Sequence, residues 1–184
     1  MSVIDTSLNT SGLPIGTWGL DPTHSSASFA VKHMAVATFR GLFDKFDATL
    51  NVDQDSAELR GTVDVMSLTV KDESLQAHLG SPEFFDVERY PKVDFRSTSL
   101  RREGDNLIVD GELTIKGNTR AVEARGTIGG PAVTLGDAIK LGVVLETVVD
   151  RTEFGLNWNA PLPKGGFAVA NDVKLTIELE LVQG

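Results

Sequence analysis

The feature that most constrains the fold of this chain is a two-residue alternation of apolar and polar side chains. It is clearest in the last segment, "NDVKLTIELELV", where every second residue from Val173 to Leu181 is apolar and the residues between them are charged or polar. Successive side chains of a β-strand point to opposite faces of the sheet. The segment is therefore predicted to form an antiparallel strand that covers a core on one side only.

The same alternation recurs along the chain, which gives eight predicted strands in succession, joined mostly by short turns. Such a series favours a closed meander, because closure leaves no exposed strand edge. An eight-stranded barrel has an interior just wide enough to be filled by side chains or to hold one slim ligand. We therefore predict an all-β fold, an eight-stranded antiparallel β-barrel. The other seven segments are "HSSASFAVKH", "FDATLNVD", "SAELRGTVDVMSLTV", "PKVDFRSTSLR", "NLIVDGELTIKG", "TRAVEARGTIG" and "IKLGVVLETVVDR".

Two glycines, Gly61 and Gly111, fall on the inward rows of predicted strands. A missing side chain there either leaves room for a ligand or permits a bend in the strand. The sequence leaves both readings open.

Residues 71–91 depart from the strand pattern. "KDESLQAHLG" predicts a short helix that is capped by Asp72 and ended by Gly80. "SPEFFDVERYP" predicts one helical turn, with Ser81 as its cap and Pro82 in the first helical position. We expect this helical insertion between the fourth and fifth strands. Since no interior linker is long enough to divide two domains, we expect a flexible N-terminal arm over residues 1–15 and a single barrel domain over residues 16–184.

Composition narrows the possible partners and compartments. The net charge of -9 would repel a phosphate backbone, so a nucleic acid partner is not expected. No apolar run approaches the ~20 residues of a transmembrane helix, so stable membrane insertion is not expected either. The chain has no cysteine, and its N-terminus lacks the basic start and apolar core of a signal peptide. We accordingly expect a cytoplasmic location.

Five sequence blocks, in this order, resemble the YceI-like family of lipocalin-like, polyisoprenoid-binding proteins of bacteria. Together they cover residues 17–182. One departure is Leu75 and Gln76, which stand where the family commonly carries an Arg-Asp pair. Many relatives are also exported, whereas the N-terminal sequence leads us to expect no leader here. The blocks are "GTWGLDPTHSSASFAVKHMAVATFRGLFDKFDATL", "HLGSPEFFDVERYPKVDFRST", "VDGELTIKGNTR", "VVDRTEFGLNW" and "VANDVKLTIELELV".

The resemblance implies a lipocalin-like barrel around a hydrophobic channel for a long-chain isoprenoid or another amphiphile, and it makes a homodimer reasonable. We expect the inward rows to line the channel and the helical insertion to form its lid and mouth. Phe84 and Phe85 either divide between the barrel interior and the neighbouring helix or simply close the barrel end as core. The expected lining is Phe29, Val31, Phe46, Val65, Phe95, Leu113, Val143 and Leu145, and the expected lid and mouth are Phe39, Leu75, Leu79, Phe84 and Phe85.

The three histidines do not have the spacing of a metal site, so no metal is expected. Of the three, His33 and His78 are the better candidates for hydrogen bonds to a ligand head group. The more common arrangement for such residues is a hydrogen bond to nearby backbone atoms. Asp21 and His24 are expected to hold a turn rather than to form a catalytic triad, since no strained nucleophile elbow is present.

For two tryptophans and two arginines the sequence favours structural roles. Trp18 and Trp158 are large enough to cap or line a barrel, and core packing is the default for both; Trp158 is included among the candidate ligand-binding residues. Arg96 and Arg151 are candidates for paired charges at the barrel rim, but we favour for each a solvated position or a structural ion pair with Asp150 or Glu153.

The sequence therefore predicts a non-enzymatic protein that binds, stores or transports a hydrophobic small molecule, such as a polyisoprenoid or a quinone-like amphiphile. No cofactor is expected beyond that ligand. The alternatives are an enzyme that acts on a hydrophobic substrate held in the same cavity, and a scaffold whose core is filled. The filled scaffold would follow if the interior aromatic rings all met at the barrel axis and left no room for a ligand.

Overall fold

The computed structural model describes residues 7–184, and within them most residues lie in antiparallel strands. The single α-helix of this part of the chain is α1 (Glu73–Gly80). The strands are β1 (Gly16–Leu20), β2 (Ser26–His33), β3 (Ala37–Phe43), β4 (Phe46–Val52), β5 (Ala57–Asp64), β6 (Leu68–Thr69), β7 (Lys92–Glu103), β8 (Asn106–Ile115), β9 (Asn118–Val133), β10 (Ile139–Asp150) and β11 (Val169–Gln183).

The strands form one closed antiparallel barrel in the order β1-β4-β5-β7-β8-β9-β10-β11, and β11 returns to β1. β1 and β2 are two pieces of one barrel strand, because β11 pairs with β1 through Leu181 and Leu20 and with β2 through Val173 and Val31. β3 and β4 are likewise successive pieces of the next strand, paired with β2 and β1. The barrel thus has eight strands, as the sequence predicted.

The helical insertion differs from its expected place and shape. α1 lies between the third and fourth barrel strands, not between the fourth and fifth, because the segments before it form only three strands. Its cap is as predicted: the Asp72 carboxylate accepts from the Leu75 amide at 2.9 Å. The segment Ser81–Pro91 contains turns and no helix. The amides of Phe84 and Asp86 both donate to the Ser81 carbonyl, and Asp86 has a positive φ of 51° that helical backbone excludes.

One end of the barrel is packed solid. We call this core the packed end: it contains Leu13, Trp18, Ala48, Leu50, Val52, Leu59, Leu100, Leu107, Val109, Ala124, Ile128, Leu141, Val143, Leu145, Leu179 and Leu181. The fully buried Trp18 donates its indole N–H to the Pro14 carbonyl at 3.2 Å. Its predicted core position is confirmed.

The N-terminal segment contributes to the packed end. Leu13 has no exposed surface, and the buried side chain of Asn9 accepts hydrogen bonds from the amides of Ser11 and Leu13. These residues lie within the expected flexible arm 1–15, but they pack against the barrel because Leu13 supplies apolar volume at its end. Residues 1–6 of that expected arm lie outside the described residues.

Candidate ligand-binding site

The opposite end of the barrel carries a lid, which we define as α1, residues 81–91 and residues 155–168. A second buried cluster lies beneath it and comprises Leu113, Ile115, Val149, Phe154 and Leu156. Phe84 and Phe85 pack against this cluster from the lid. Apolar surface therefore faces the barrel interior from both its wall and its lid.

Inward side chains in this half of the barrel keep solvent-accessible surface although strands close around them. At the packed end, by contrast, the inward side chains of Trp18 and Leu181 have 0% exposure. Protein interiors are normally close-packed, so inward apolar side chains that remain accessible border open space. The half-buried inward residues are Phe29, Phe39, Phe43, Val63, Val93, Val173 and Leu175, together with Phe46, Phe95 and Ile177, which also contact the packed end.

Two glycines allow large rings to lie along the wall instead of across the interior. A Cβ at Gly41 would lie 2.4 Å from the Phe29 ring, its cross-strand partner. A Cβ at Gly111 would lie 2.5 Å from the Phe95 ring. At Gly61, by contrast, an added Cβ would meet only the Asp47 carbonyl, at 3.6 Å. Of the two glycines singled out in the sequence, Gly111 accommodates a ring and Gly61 leaves room.

The aromatic side chains form two separate groups. On the β2–β3 hairpin the Phe29 ring lies 5.8 Å from those of Phe39 and Phe43. On the lid, Phe84 and Phe85 lie 5.5 Å apart. No ring contact joins the two groups within residues 7–184. The rings of the β2–β3 hairpin are therefore separate from those of the lid, although Phe95 packs together with Phe84 and Phe85 against the buried cluster that contains Phe154.

His78 places a polar group among the lid aromatics. Its ring is 4.7 Å from the Trp158 ring, at an interplanar angle of 75°, and 5.9 Å from the Phe84 ring. Its Nδ1 lies 3.8 Å from a Glu83 carboxylate oxygen. The Nε2 atom is buried and has no hydrogen-bond partner among the described residues. A buried nitrogen without a partner is costly, and a ligand hydroxyl or phosphate would satisfy it.

Arg151 anchors the lid to the barrel, a role the sequence did not indicate. Its side chain is 3% exposed and donates to the carbonyls of Leu156, Trp158, Val169 and Ala170. Burial lowers the pKa of the guanidinium, which nevertheless stays charged because its ordinary pKa is so high.

Neither arginine forms the structural ion pair with Asp150 or Glu153 that the sequence favoured: within residues 7–184 Arg151 donates only to backbone carbonyls, and Arg96 has a different partner. The Asp150 carboxylate accepts instead from the amide and hydroxyl of Thr152. Those hydrogen bonds lower the pKa of Asp150. Arg96 does form an ion pair, but with Glu58 on the outer face of the barrel, at 2.8 Å.

The turn between β8 and β9 holds two lid segments together. Lys116 Nζ donates to the carbonyls of Pro82 and Gly155, at 3.0 and 3.3 Å. The Asn118 side chain donates to the Phe154 carbonyl at 2.9 Å. The sequence "KGNT" indicates a turn but carries no sign of these contacts, because all the acceptors are backbone atoms distant in sequence.

The predicted site residues fall into five sets. Val143 and Leu145 belong to the packed end, and His33 is exposed at the β2–β3 turn. Trp158 is half-buried against His78, so core packing was the wrong default for it. The buried members on the wall and lid are Val31, Val65, Leu79 and Leu113, and the half-buried members are Phe29, Phe39, Phe46, Leu75, His78, Phe84, Phe85 and Phe95.

A charged cluster joins the turn between β1 and β2 to two neighbouring strands. His24 Nδ1 lies 3.0 Å from the Asp21 carboxylate, and Lys140 Nζ contacts both Asp21 and Glu180. The interpretation of Asp21 and His24 as residues that hold a turn is confirmed. Although the carboxylates and His24 lie close enough to bind a cation together, the Lys140 ammonium already supplies the positive charge between them.

These contacts shift two pKa values in opposite directions. Hydrogen bonds from His24, and then from Lys140, hold the pKa of Asp21 far below its ordinary value near 3.8. Hydrogen bonds to Glu180, and then to Asp21, raise the pKa of Lys140. The cluster is therefore an ion-pair network that fastens the interruption between β1 and β2.

The closed eight-stranded meander, with one packed end and one half-open end under a lid, defines a lipocalin-like barrel protein. The YceI-like domain family matches residues 18–181, and the chain belongs to that family. A UPF0312 protein of Staphylococcus aureus is 32% identical over 167 residues, which span 87% of this chain and 94% of the relative.

Solved structures show the same fold. BcnA of Burkholderia cenocepacia matches with a TM-score of 0.75 at 24% identity, over 88% of this chain and 98% of that protein. A YceI protein of Campylobacter jejuni matches with a TM-score of 0.69 at 22% identity, over 83% and 90%. A polyisoprenoid-binding domain from Saccharophagus degradans, implicated in plant cell wall breakdown, matches with a TM-score of 0.67 at 11% identity, over 91% and 98%. None of the helices in the described chain has the length and hydropathy to cross a membrane.

Proposed function

We propose that this protein binds a hydrophobic small molecule of the polyisoprenoid or quinone-like class in the lid half of its barrel. The observation that carries the proposal is the partial exposure of inward apolar side chains within a closed barrel. Each CH₂ group transferred from water to such a wall contributes ~0.8 kcal/mol. A chain of a dozen such groups would bind even after its conformational entropy is lost.

The lid supplies a polar contact for one end of this ligand. His78 Nε2 is the buried polar atom without a partner that lies nearest the aromatic wall of the lid. An amphiphile can place its tail against the apolar barrel wall and its hydroxyl, carbonyl or phosphate at His78. It would then cover the wall and give Nε2 a hydrogen-bond partner. Apolar contacts discriminate poorly between chains of similar thickness, so we expect the head group to carry more of the selectivity than the tail.

A break in the sheet gives the ligand a route of entry. β3 pairs with β6 only through Leu42 and Phe43. Residues 37–41 of β3 have no strand partner on that side within the described chain, and Phe39 lies on this stretch. We place the entrance between this edge and α1, where opening the lid breaks no strand pairing.

The polyisoprenoid-binding domain of Saccharophagus degradans has the same fold, which favours this ligand class over others of similar hydrophobicity. We propose storage or transport rather than catalysis, and we assign the Glu83 carboxylate, 3.8 Å from His78 Nδ1, to holding the imidazole in place. The alternative, an enzyme acting on a hydrophobic substrate in the same cavity, would need His33 or His78 as its acid–base group.

Mass spectrometry of gently purified protein tests the proposal. Comparing native with denaturing spectra reveals a hydrophobic molecule released on unfolding, and prenols, quinones and fatty acids are then added to the emptied protein. One bound molecule per barrel supports the proposal. A protein that is empty and ignores all three classes contradicts it, and turnover of a lipid that is lost in His33→Ala or His78→Ala would favour the enzyme.

The cytoplasmic location and the homodimer stay predictions. Fractionation of the source cells tests the location, and sedimentation of the purified chain tests the oligomeric state.

A further inference from the structure

The packed end closes the barrel interior from below. Along β11, Leu179 is 4% exposed and belongs to the packed end, whereas Ile177, the next inward residue toward the lid, is half-buried. Leu175 and Val173, further toward the lid, are half-buried as well. A close-packed cluster admits no ligand unless its own side chains are displaced. A ligand in the lid half of the barrel therefore ends at the level of Leu179.

Neighbouring strands close the interior in the same way. On β10, Leu145 is 3% exposed, belongs to the packed end and lies opposite the half-buried Ile177. On β4, Ala48 belongs to the packed end, and the half-buried Phe46, one inward step nearer the lid, packs against that cluster. Leu179, Leu145 and Ala48 are thus the part of the packed end that meets the open space, and we call them the floor.

Two strands give the height of the space between the floor and the second buried cluster, which we call the hollow. On β11, Val173 packs against the cluster beneath the lid and lies six positions before Leu179. On β8, Ile115 belongs to that cluster and lies six positions after Val109 of the packed end. At ~3.3 Å per residue and a strand tilt of ~40°, each separation corresponds to a height of ~15 Å. Since the cluster beneath the lid takes up part of this height, ~15 Å is an upper limit.

The hollow holds a single extended chain of limited length. The interior of an eight-stranded barrel is wide enough for one slim ligand, so a long tail has no room to fold back on itself. Along an isoprenoid tail each unit contributes a few carbon–carbon bonds of ~1.5 Å and spans ~5 Å when extended. A hollow of ~15 Å therefore accepts about three isoprene units.

His78 determines where such a chain begins. Its ring lies in the lid against Trp158 and Phe84, and its buried Nε2 has no hydrogen-bond partner among residues 7–184. Phe84 in turn packs against the cluster that closes the hollow from above. A head group bound at Nε2 therefore leaves the tail only the height of the hollow. Carbon atoms beyond that length stay in water or keep the lid open.

We propose that the floor limits the ligand to an isoprenoid tail of about three units, the size of farnesol, rather than the long chain that the family resemblance implies. The inference rests on the proposed function and narrows its ligand class. Each unit that fits in the hollow is transferred from water to an apolar wall, whereas a further unit gains no such transfer. The packed end thereby selects ligands by chain length.

Native mass spectrometry of the intact chain tests this limit. The protein is incubated with equal concentrations of geraniol, farnesol and geranylgeraniol, which contain two, three and four isoprene units. Occupancy by farnesol should exceed that by geraniol at least ~10-fold, because one more unit is buried. Geranylgeraniol should bind no better than farnesol. An occupancy that rises again from farnesol to geranylgeraniol overturns the proposal.

Leu145→Ala tests whether the floor sets the limit. The truncation deepens the hollow by a few carbon atoms, so we expect the occupancy ratio of geranylgeraniol to farnesol to rise ~10-fold. Leu181→Ala is the matched control, because Leu181 is 0% exposed in the same packed end and lies one inward step below Leu179. Its cavity stays closed to the hollow and should leave the ratio unchanged. The same ratio in both variants would contradict the role of the floor.

The prenol series separates this proposal from the proposed function. The series on the unaltered protein is decisive even where a variant fails to fold. Binding that strengthens with every added unit removes the length limit and leaves the proposed function standing. A protein that binds none of the three prenols overturns both proposals.

Discussion

The Arg151 side chain donates from Nη1 to the Trp158 carbonyl at 2.9 Å, from a position that is 3% exposed. A charged group thus fixes the backbone beside the aromatic residue that contacts His78. Because the guanidinium satisfies four carbonyls of two segments, it joins the last part of the lid to the start of β11. The position of Trp158 therefore depends on a residue that does not itself face the cavity.

Replacing Arg151 with Met should loosen the lid and destabilise the protein. The substitution removes the guanidinium donor from four carbonyls, of which only Val169 keeps another side-chain donor, the Asn159 amide, so we expect a loss of ~3 kcal/mol in the free energy of unfolding. Hydrogen exchange of amides 155–168 should accelerate more than that of the strands. Arg96→Met is the control, since its exposed pair with Glu58 is worth only about 0–1 kcal/mol. Equal effects of the two substitutions would argue against an anchoring role.

His78→Phe separates the polar role of His78 from its packing. The new ring keeps contact with Trp158 but removes the Nε2 atom that has no partner. We expect the free energy of unfolding to stay unchanged or to rise by ~1 kcal/mol, because an unsatisfied buried group is lost. Affinity for a prenol should fall, while affinity for a hydrocarbon of equal length should not. If calorimetry finds the two affinities falling together, His78 shapes the cavity and does not bind a head group.

Gly41→Ala tests whether the Phe29 ring lies along the wall. The new methyl group would lie 2.4 Å from that ring and 2.9 Å from a Leu68 methyl, so we expect a loss of ~1–3 kcal/mol in the free energy of unfolding. Gly142→Ala is the matched strand control, because no atom lies within 4 Å of its added Cβ. Denaturant titration of both variants is the measurement. A Gly41→Ala protein as stable as the control would place the Phe29 ring elsewhere.

Asp21→Asn should make the free energy of unfolding depend less on pH in the acid range. Its carboxyl pKa is lowered on folding, so it stabilises the native state at pH values above its ordinary pKa near 3.8. That contribution is lost as the pH falls through the lower pKa of the folded state. The unaltered protein should therefore have the higher unfolding midpoint at pH 7, and the difference should shrink in strong acid. A difference that is constant between pH 7 and pH 2 would exclude this linkage.

The barrel was predictable because its signal is local and repeated. Alternation in segments such as "NDVKLTIELELV" specifies which face of a strand is buried, and Asp72 lies three residues before the amide that it caps. The interruptions of the first two barrel strands were missed: β1 is too short to show alternation, and on β3 the inward position between Phe39 and Phe43 is Gly41.

The lid was less predictable because distant backbone atoms hold it. Arg151 and Lys116 donate to backbone carbonyls, and because every residue has a carbonyl, no residue type in the sequence marks these acceptors. Phe84 and Phe85 were expected at the mouth from their setting, and they pack there, but as parts of successive turns. The apolar lining followed from alternation, whereas the division into a packed end and a half-open end depends on how rings and glycines fit together across strands.

Prenol titration of Gly61→Leu and of the unaltered protein tests most directly whether the barrel interior is hollow above the packed end, because Gly61 lies beside Ala48 at the border of that core. At Gly61 an added Cβ meets only one backbone oxygen, at ordinary contact distance. Native mass spectrometry should show one prenol per unaltered barrel and none in the variant, whose unfolding midpoint should be preserved. An unaltered protein that takes up no prenol, together with a variant that unfolds because its interior is overfilled, would contradict the account.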